Sequence, residues 1–169
     1  PINVYGEQKV AAEEGMLSRN PKTLVCRMPL LFGKAPTAPS FLQGFLDRIR
    51  QGEPLNLFED EFRTPVSGTD ASKGLLLALE ALTQDQVPPE NHGRLHLGGP
   101  ERLSRLDFGK ILVDVMGLDP SCITACRQAD VKMAAARAAD ISMDSTCARQ
   151  LGYRPESIRT ALQRLQLSL

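Results

Sequence analysis

The chain has 169 residues, of which 42% are hydrophobic and 24% charged, so it can bury one sizeable core and is not globally disordered. Its 20 basic and 20 acidic side chains balance, which leaves no large net field to attract nucleic acid or an anionic membrane. No apolar run approaches the length of about 20 residues that spans a bilayer, and we expect a cytoplasmic protein with no membrane partner.

The first predicted element is a helix that carries a tyrosine and a lysine. Residues 5–19 are rich in good helix formers. Tyr5 and Lys9 are one helical turn apart and therefore fall on the same face. Three apolar side chains form a candidate buried stripe: Val10, Met16 and Leu17.

A short strand and a second helix are predicted next. The apolar run 23–28 lies between two prolines and is typical of a buried strand. A helix followed by a buried strand is half of a parallel βαβ unit. After a loop, Ser40 is a plausible N-cap for a helix whose apolar residues extend to Ile49 and which ends at Gly52.

The middle of the chain continues to alternate between strands and helices. Residues 55–58 and 62–67 are predicted strands. Thr69 is a plausible cap for the apolar helix that includes residues 73–79, and residues 94–97 form a further strand. This alternation predicts an α/β fold.

Two helices are predicted in the last third of the chain. Ser104 precedes a helix with apolar side chains at helical spacing up to Gly117, and a final helix extends from about Pro155 to Leu167. Cys122 and Cys126 have a spacing that could place two thiols on one helical face. No second pair with zinc-ligand spacing accompanies them, so we expect free structural thiols.

The acidic run Glu59-Asp60-Glu61 is a candidate cation site. It lacks the spaced oxygen ligands of a calcium loop, and we interpret it as a solvated turn. The sequence predicts no metal site.

Sequence motifs give the tyrosine and lysine a wider context. The pair lies within PINVYGEQK (1–9), followed by the Ala-Glu pair at 12–13 and by RMPLLFG (27–33) at the end of the first predicted strand. This combination resembles the extended short-chain dehydrogenase/reductase family. The tail from Arg137 through LGYRP (151–155) resembles the dTDP-4-dehydrorhamnose reductase-like branch, which acts on nucleotide sugars.

The resemblance implies a particular architecture. The chain would be the C-terminal portion of a Rossmann-type parallel sheet with a small α/β substrate-binding domain. Residues 1–35 would end the Rossmann part, and residues from about 36 to 169 would be mainly substrate-binding, with interleaved Rossmann elements.

The resemblance also assigns roles to five residues. Tyr5 and Lys9 would be catalytic, since a phenol can donate a proton to a carbonyl oxygen that gains negative charge, and a nearby ammonium favours the phenolate. NADPH or NADH would contact Tyr5, Lys9 and Pro29. Arg63 and Arg137 would bind the nucleotide part of the substrate through charge-assisted hydrogen bonds.

The activity implied by the resemblance is NAD(P)H-dependent reduction of a nucleotide-linked 4-keto sugar. Two alternatives stay open: a non-catalytic module like the regulatory subunit of methionine adenosyltransferase, and an NAD-dependent nucleotide-sugar epimerase or dehydratase. A homodimer or a partner enzyme is compatible with each. The family's glycine-rich loop and its Ser/Thr donor are absent from the sequence, so we expect the chain by itself to be inactive.

Overall fold

A computed structural model of the chain shows an α/β fold and describes residues 1–35, 37, 39–87 and 93–166. The helices are α1 (Val4–Arg19), α2 (Phe41–Arg50), α3 (Gly68–Thr83), α4 (Arg105–Met116), α5 (Thr146–Gln150) and α6 (Ile158–Gln166). The strands are β1 (Val25–Arg27), β2 (Leu31–Phe32), β3 (Leu55–Phe58), β4 (Phe62–Arg63), β5 (Val66–Ser67), β6 (Arg94–His96), β7 (Leu103–Ser104) and β8 (Ile123–Cys126).

The strands pair across long stretches of sequence. β1 pairs with β6, β2 with β5 and β3 with β8, all in parallel, whereas β4 and β7 are antiparallel. Val25 lies opposite Arg94, so the strand that follows α1 is held by a strand almost 70 residues further along. The α/β fold class and the predicted strands at 23–28 and 94–97 are confirmed.

Local capping explains where two of the predicted helices begin. Ser40 and Ser104 each accept a hydrogen bond from a backbone N–H of the first helical turn, and each forms a capping box with the residue three positions on. Gly117 ends α4 with φ of 64°, a left-handed conformation that glycine adopts without steric cost. The final predicted helix is observed as α6, and Leu167 lies outside the described residues.

The prediction of one continuous strand at 62–67 is wrong. The segment forms two short strands, β4 and β5, with different partners on either side of Thr64-Pro65. Proline has no N–H for a strand ladder, which explains the break. The cap of α3 also differs from the prediction: Ser67, not Thr69, accepts the hydrogen bond from the Asp70 amide at 3.0 Å.

The predicted buried stripe on α1 is also wrong. None of the residues of α1 is fully buried, and Met16 is 59% exposed. The helix is instead attached to the sheet by a polar contact, in which Glu13 binds Arg27 of β1 and Arg94 of β6.

Cys122 and Cys126 do not share a helical face. Cys126 lies in β8, opposite Phe58 of β3, and Cys122 ends the short 3-10 turn before that strand. All four cysteines are free thiols, as expected.

Within the described residues, three apolar clusters form the interior. The largest joins Phe32 to the inner faces of α2, α4 and α6, the second surrounds Tyr153 beside α3 and β6, and the third packs β3 on Leu106. Backbone segments also approach closely: a Cβ at Gly99 would lie 1.8 Å from the Pro65 carbonyl oxygen, so only glycine fits there. In the described part of the chain, no helix has the length and apolar character needed to cross a membrane.

Candidate functional site

A cleft of about 550 Å³ lies between α1 and β1 and includes Tyr5 and Lys9 in its wall. The Lys9 ammonium is 5.5 Å from the centroid of the Tyr5 ring. The Tyr5 side chain is 69% exposed, so its hydroxyl is accessible to a bound molecule. The structure therefore brings the two predicted catalytic residues together at an open cleft.

The rest of this cleft is largely apolar. Met16, Met28, Ile141 and Met143 line it, together with Cys26. Burial raises the pKa of the Cys26 thiol, so this cysteine stays protonated at neutral pH and is not an activated nucleophile. Pro29 follows β1 and is half-buried. It lies next to the cleft in sequence but does not line it, whereas its neighbour Met28 does.

Two polar contacts fix the helix that carries Tyr5 and Lys9. Asn3 caps its N-terminus, because its side-chain oxygen accepts from the Gly6 amide at 2.9 Å and its amide donates to the Ala136 carbonyl at 3.0 Å. Glu13 accepts hydrogen bonds from Arg27 at 2.8 and 2.5 Å. The hydrogen bond from Arg27 is the main cause that lowers the pKa of the Glu13 carboxyl, which is therefore ionised at neutral pH.

A cluster of arginines around Glu61 forms a second candidate site. The Glu61 carboxylate is completely buried and lies 2.9 Å from Arg63, 2.9 Å from Arg137 and 3.5 Å from Arg105. The prediction of a solvated turn is therefore wrong for this residue. Its burial is possible because guanidinium groups replace the water that would otherwise solvate the carboxylate.

The cluster carries an excess of positive charge. One carboxylate faces three guanidinium groups. Burial lowers the pKa of Arg63 and of Arg105, and Glu61 opposes this effect in both cases, so both side chains stay charged at neutral pH. Among the described residues, one buried nitrogen of Arg105 (Nη1) and one oxygen of Glu61 (Oε2) have no hydrogen-bond partner.

A smaller cleft of about 130 Å³ opens onto this cluster. Its wall includes Arg105 and Arg137 together with Asn56 and the aromatic rings of Phe45 and Phe58. Cationic and aromatic groups in one small cleft suit part of an anionic ligand, such as a phosphate group.

The segment 136–138 connects the two sites. The Ala136 carbonyl accepts from Asn3 at the start of α1, Arg137 binds Glu61, and the Ala138 carbonyl accepts from Arg63 at 3.3 Å. The structure thus brings Arg63 and Arg137 together around Glu61. It places neither of them in the cleft of Tyr5 and Lys9.

Sequence reasoning missed Glu61 and Arg105 as members of the site. Glu61 stands in an acidic run that is typical of exposed turns, and Arg105 begins a helix in which apolar spacing was the main signal. The described residues include no group of three or more histidine, cysteine or acidic side chains placed to hold a metal ion.

The α/β fold and the cleft with Tyr5 and Lys9 are those of a short-chain dehydrogenase/reductase, and the comparison with known families agrees with this class. Residues 1–168 match the family described as RmlD substrate binding domain, and the chain belongs to this family. The resemblance to nucleotide-sugar reductases inferred from the motifs is confirmed.

Two curated relatives show how far the likeness extends in sequence. A probable low-salt glycan biosynthesis reductase of Haloferax volcanii is 26% identical over 81% of this chain and 44% of its own length. The methionine adenosyltransferase 2 subunit beta of Danio rerio is 23% identical over 93% of this chain and 48% of its own length. This chain spans about half the length of these curated relatives.

Among solved structures, the dTDP-4-dehydrorhamnose reductase of Bacillus anthracis, crystallised with NADP, superposes with a TM-score of 0.82. Its sequence is 20% identical, and the match covers 100% of this chain and 57% of that one. This likeness shows that the two share a fold.

Proposed function

We propose that this chain belongs to an NAD(P)H-dependent reductase, and that the substrate of this reductase is a nucleotide-linked 4-keto sugar. The observation that carries the proposal is the placement of Tyr5 and Lys9 on one face of α1, at the wall of an open, mostly apolar cleft. The family and the reductases among its relatives support it.

The residues at this cleft fit a nicotinamide cofactor. Lys9 and Tyr5 would hold its ribose, and Pro29 would flank its nicotinamide. When bound, NADPH or NADH would supply the hydride for reduction of the ketone.

The residues of this chain would supply the proton for the reduction. Negative charge develops on the carbonyl oxygen during reduction, and the accessible Tyr5 hydroxyl donates a proton to it. The Lys9 ammonium then stabilises the phenolate that remains.

The arginine cluster would bind the nucleotide part of the substrate. A diphosphate would offset the excess positive charge around Glu61 and would accept hydrogen bonds from the accessible guanidinium of the cluster. The Arg137 side chain is 44% exposed and that of Arg63 only 10% exposed. We therefore propose that Arg137 contacts the diphosphate directly. Arg63 would bind the substrate and also holds Glu61 and the Ala138 carbonyl in place.

The test is a steady-state assay of the protein expressed from its complete reading frame. Oxidation of NADPH is followed at varied concentrations of a dTDP-4-keto-6-deoxy sugar. Tyr5→Phe should lower kcat by about 100-fold or more, since it removes the proton donor. The matched control is Tyr153→Phe, which alters the other tyrosine of the chain, in the core, and should leave kcat within about twofold. Equal activity of wild type and Tyr5→Phe would refute the proposal.

A regulatory module is the second candidate, because a methionine adenosyltransferase subunit is among the relatives. Under that alternative the protein binds the dinucleotide and a partner enzyme without oxidising NADPH with any 4-keto sugar. The same assay, combined with measurement of NADPH binding by calorimetry, separates the two. Binding without turnover would favour the module.

A further inference from the structure

We propose that Glu13 is a positioning residue for the tyrosine–lysine pair, because it fixes the rotation of α1 against the sheet. This inference rests on the proposed function of Tyr5 and Lys9.

The position of Glu13 along α1 is the first observation. Tyr5, Lys9 and Glu13 follow one another at intervals of four residues. Side chains at this spacing lie above one another on one helical face. Glu13 lies two turns beyond Tyr5 and belongs to the wall of the same cleft.

The second observation is the contact that Glu13 makes. Both of its oxygens accept from the Arg27 guanidinium, at 2.8 and 2.5 Å, and one of them lies 3.3 Å from the Arg94 Nε atom. Arg27 belongs to β1 and Arg94 to β6, which are neighbouring parallel strands. One carboxylate therefore attaches the helix to two strands at once. A bidentate guanidinium pair also constrains direction as well as distance.

The third observation is the burial of this contact. None of its side chains is fully buried, and Val10 and Met16 are 37% and 59% exposed. By contrast, the Glu13 side chain is only 16% exposed. Leu17 packs beside Gly93 near the end of the helix. The buried Glu13 contact holds the face of α1 that carries Tyr5 and Lys9. Asn3 holds the N-terminal end of the helix, and Glu13 holds it more than two turns further along.

Loss of this contact would therefore misplace Tyr5 and Lys9 together. Glu13→Gln preserves the size of the side chain but removes its charge and leaves a single oxygen to accept from two guanidinium groups. A displacement of about 1 Å at reacting groups can cost about 100-fold in rate. Glu14→Gln is the matched control: it changes the same residue type on the same helix, and Glu14 is exposed and has no ion pair within the described residues.

The first arm of the experiment measures hydrogen exchange of the α1 amides in the protein from its complete reading frame. Glu13→Gln should accelerate exchange across α1 by about tenfold or more, since the helix loses its attachment. Glu14→Gln should leave exchange at the wild-type rate. Equal exchange in both variants would overturn the inference, and this arm needs neither cofactor nor turnover.

The second arm measures kinetics with the protein from its complete reading frame. Glu13→Gln should lower kcat by about 10- to 100-fold with little change in KM for the sugar, whereas Glu14→Gln should match wild type. A merely structural role would lower the amount of active enzyme, so active sites are counted by titration with tightly bound cofactor. An unchanged kcat per active site would overturn the positioning role. If the wild type itself has no activity, the proposed function fails, while the exchange arm still decides whether Glu13 holds α1.

Discussion

Removal of the buried charge at Glu61 tests the arginine cluster directly. In the substitution Glu61→Gln, the amide keeps the shape of the carboxyl group and loses its negative charge. Three guanidinium groups then face one another without the carboxylate that they share, and Arg63 and Arg105 are mostly withdrawn from solvent. We expect the folded state to become markedly less stable.

The size of the effect follows from the geometry. Removing one partner of a buried ion pair costs about 3–5 kcal/mol. The lower end applies here, because the glutamine oxygen can still accept one hydrogen bond and the Arg137 side chain, 44% exposed, can turn to water. We therefore expect a loss of about 3 kcal/mol in the free energy of unfolding, which is a large share of the 5–15 kcal/mol typical of a domain.

Urea unfolding followed by circular dichroism measures this loss. With a slope of about 2 kcal/mol per M, the midpoint should fall by about 1.5 M. Glu59→Gln is the matched control. Glu59 pairs with Arg127, whose side chain is 70% exposed, and an exposed ion pair contributes about 1 kcal/mol or less. If the two variants unfold at the same urea concentration, the buried cluster does not contribute as described.

Two further predictions concern the core around α3. Burial by itself would raise the pKa of Asp70, but hydrogen bonds, led by that from Lys73, outweigh it and lower the pKa. The stability that Asp70 contributes is therefore present above its pKa in the unfolded chain, about 3.9, and is lost as pH falls through its pKa in the folded protein. In urea titrations, Asp70→Asn should lower the stability at pH 7 and lower it much less near pH 2. A Cβ at Gly74 would lie 2.9 Å from the Tyr153 ring, and Gly74→Ala should cost about 1–3 kcal/mol by thermal unfolding. The same change at Gly15, which faces open space in α1, should instead stabilise by about 0.5–1 kcal/mol; a pair of equal shifts would contradict this reading of the packing.

Local signals in the sequence predicted the elements that depend on local chemistry. Ser40 and Ser104 act as helix caps where a serine precedes an apolar periodic run, and Gly117 ends α4 in the left-handed conformation. The apolar run at 23–28 became a strand because its length and bounding prolines disfavour a helix.

Features that depend on distant partners were not predictable in this way. The strand β8 was missed because its residues lack strong alternation and it forms only where β3 lies alongside. Glu61 was assigned to a solvated turn because its burial depends on Arg105 and Arg137, which are 44 and 76 residues away in the sequence.

The candidate site shows the same difference between local signals and contacts with distant residues. The Tyr5–Lys9 pair was predictable because one helical turn determines its proximity. The attachment of α1 was not, because Met16 and Val10 suggested apolar packing, whereas the structure uses Glu13 and two arginines from separate strands.

Transfer of deuterium from the cofactor to the sugar tests the central claim most directly. The protein from its complete reading frame is incubated with NADPH that carries deuterium at both C4 positions of the nicotinamide and with a dTDP-4-keto-6-deoxy sugar, and the product is analysed by mass spectrometry. We expect a reduced sugar that contains one deuterium, formed by Tyr5→Phe at an initial rate about 100-fold or more below that of wild type. A product without deuterium, or equal rates of deuterium incorporation by both proteins, would contradict the proposed reduction.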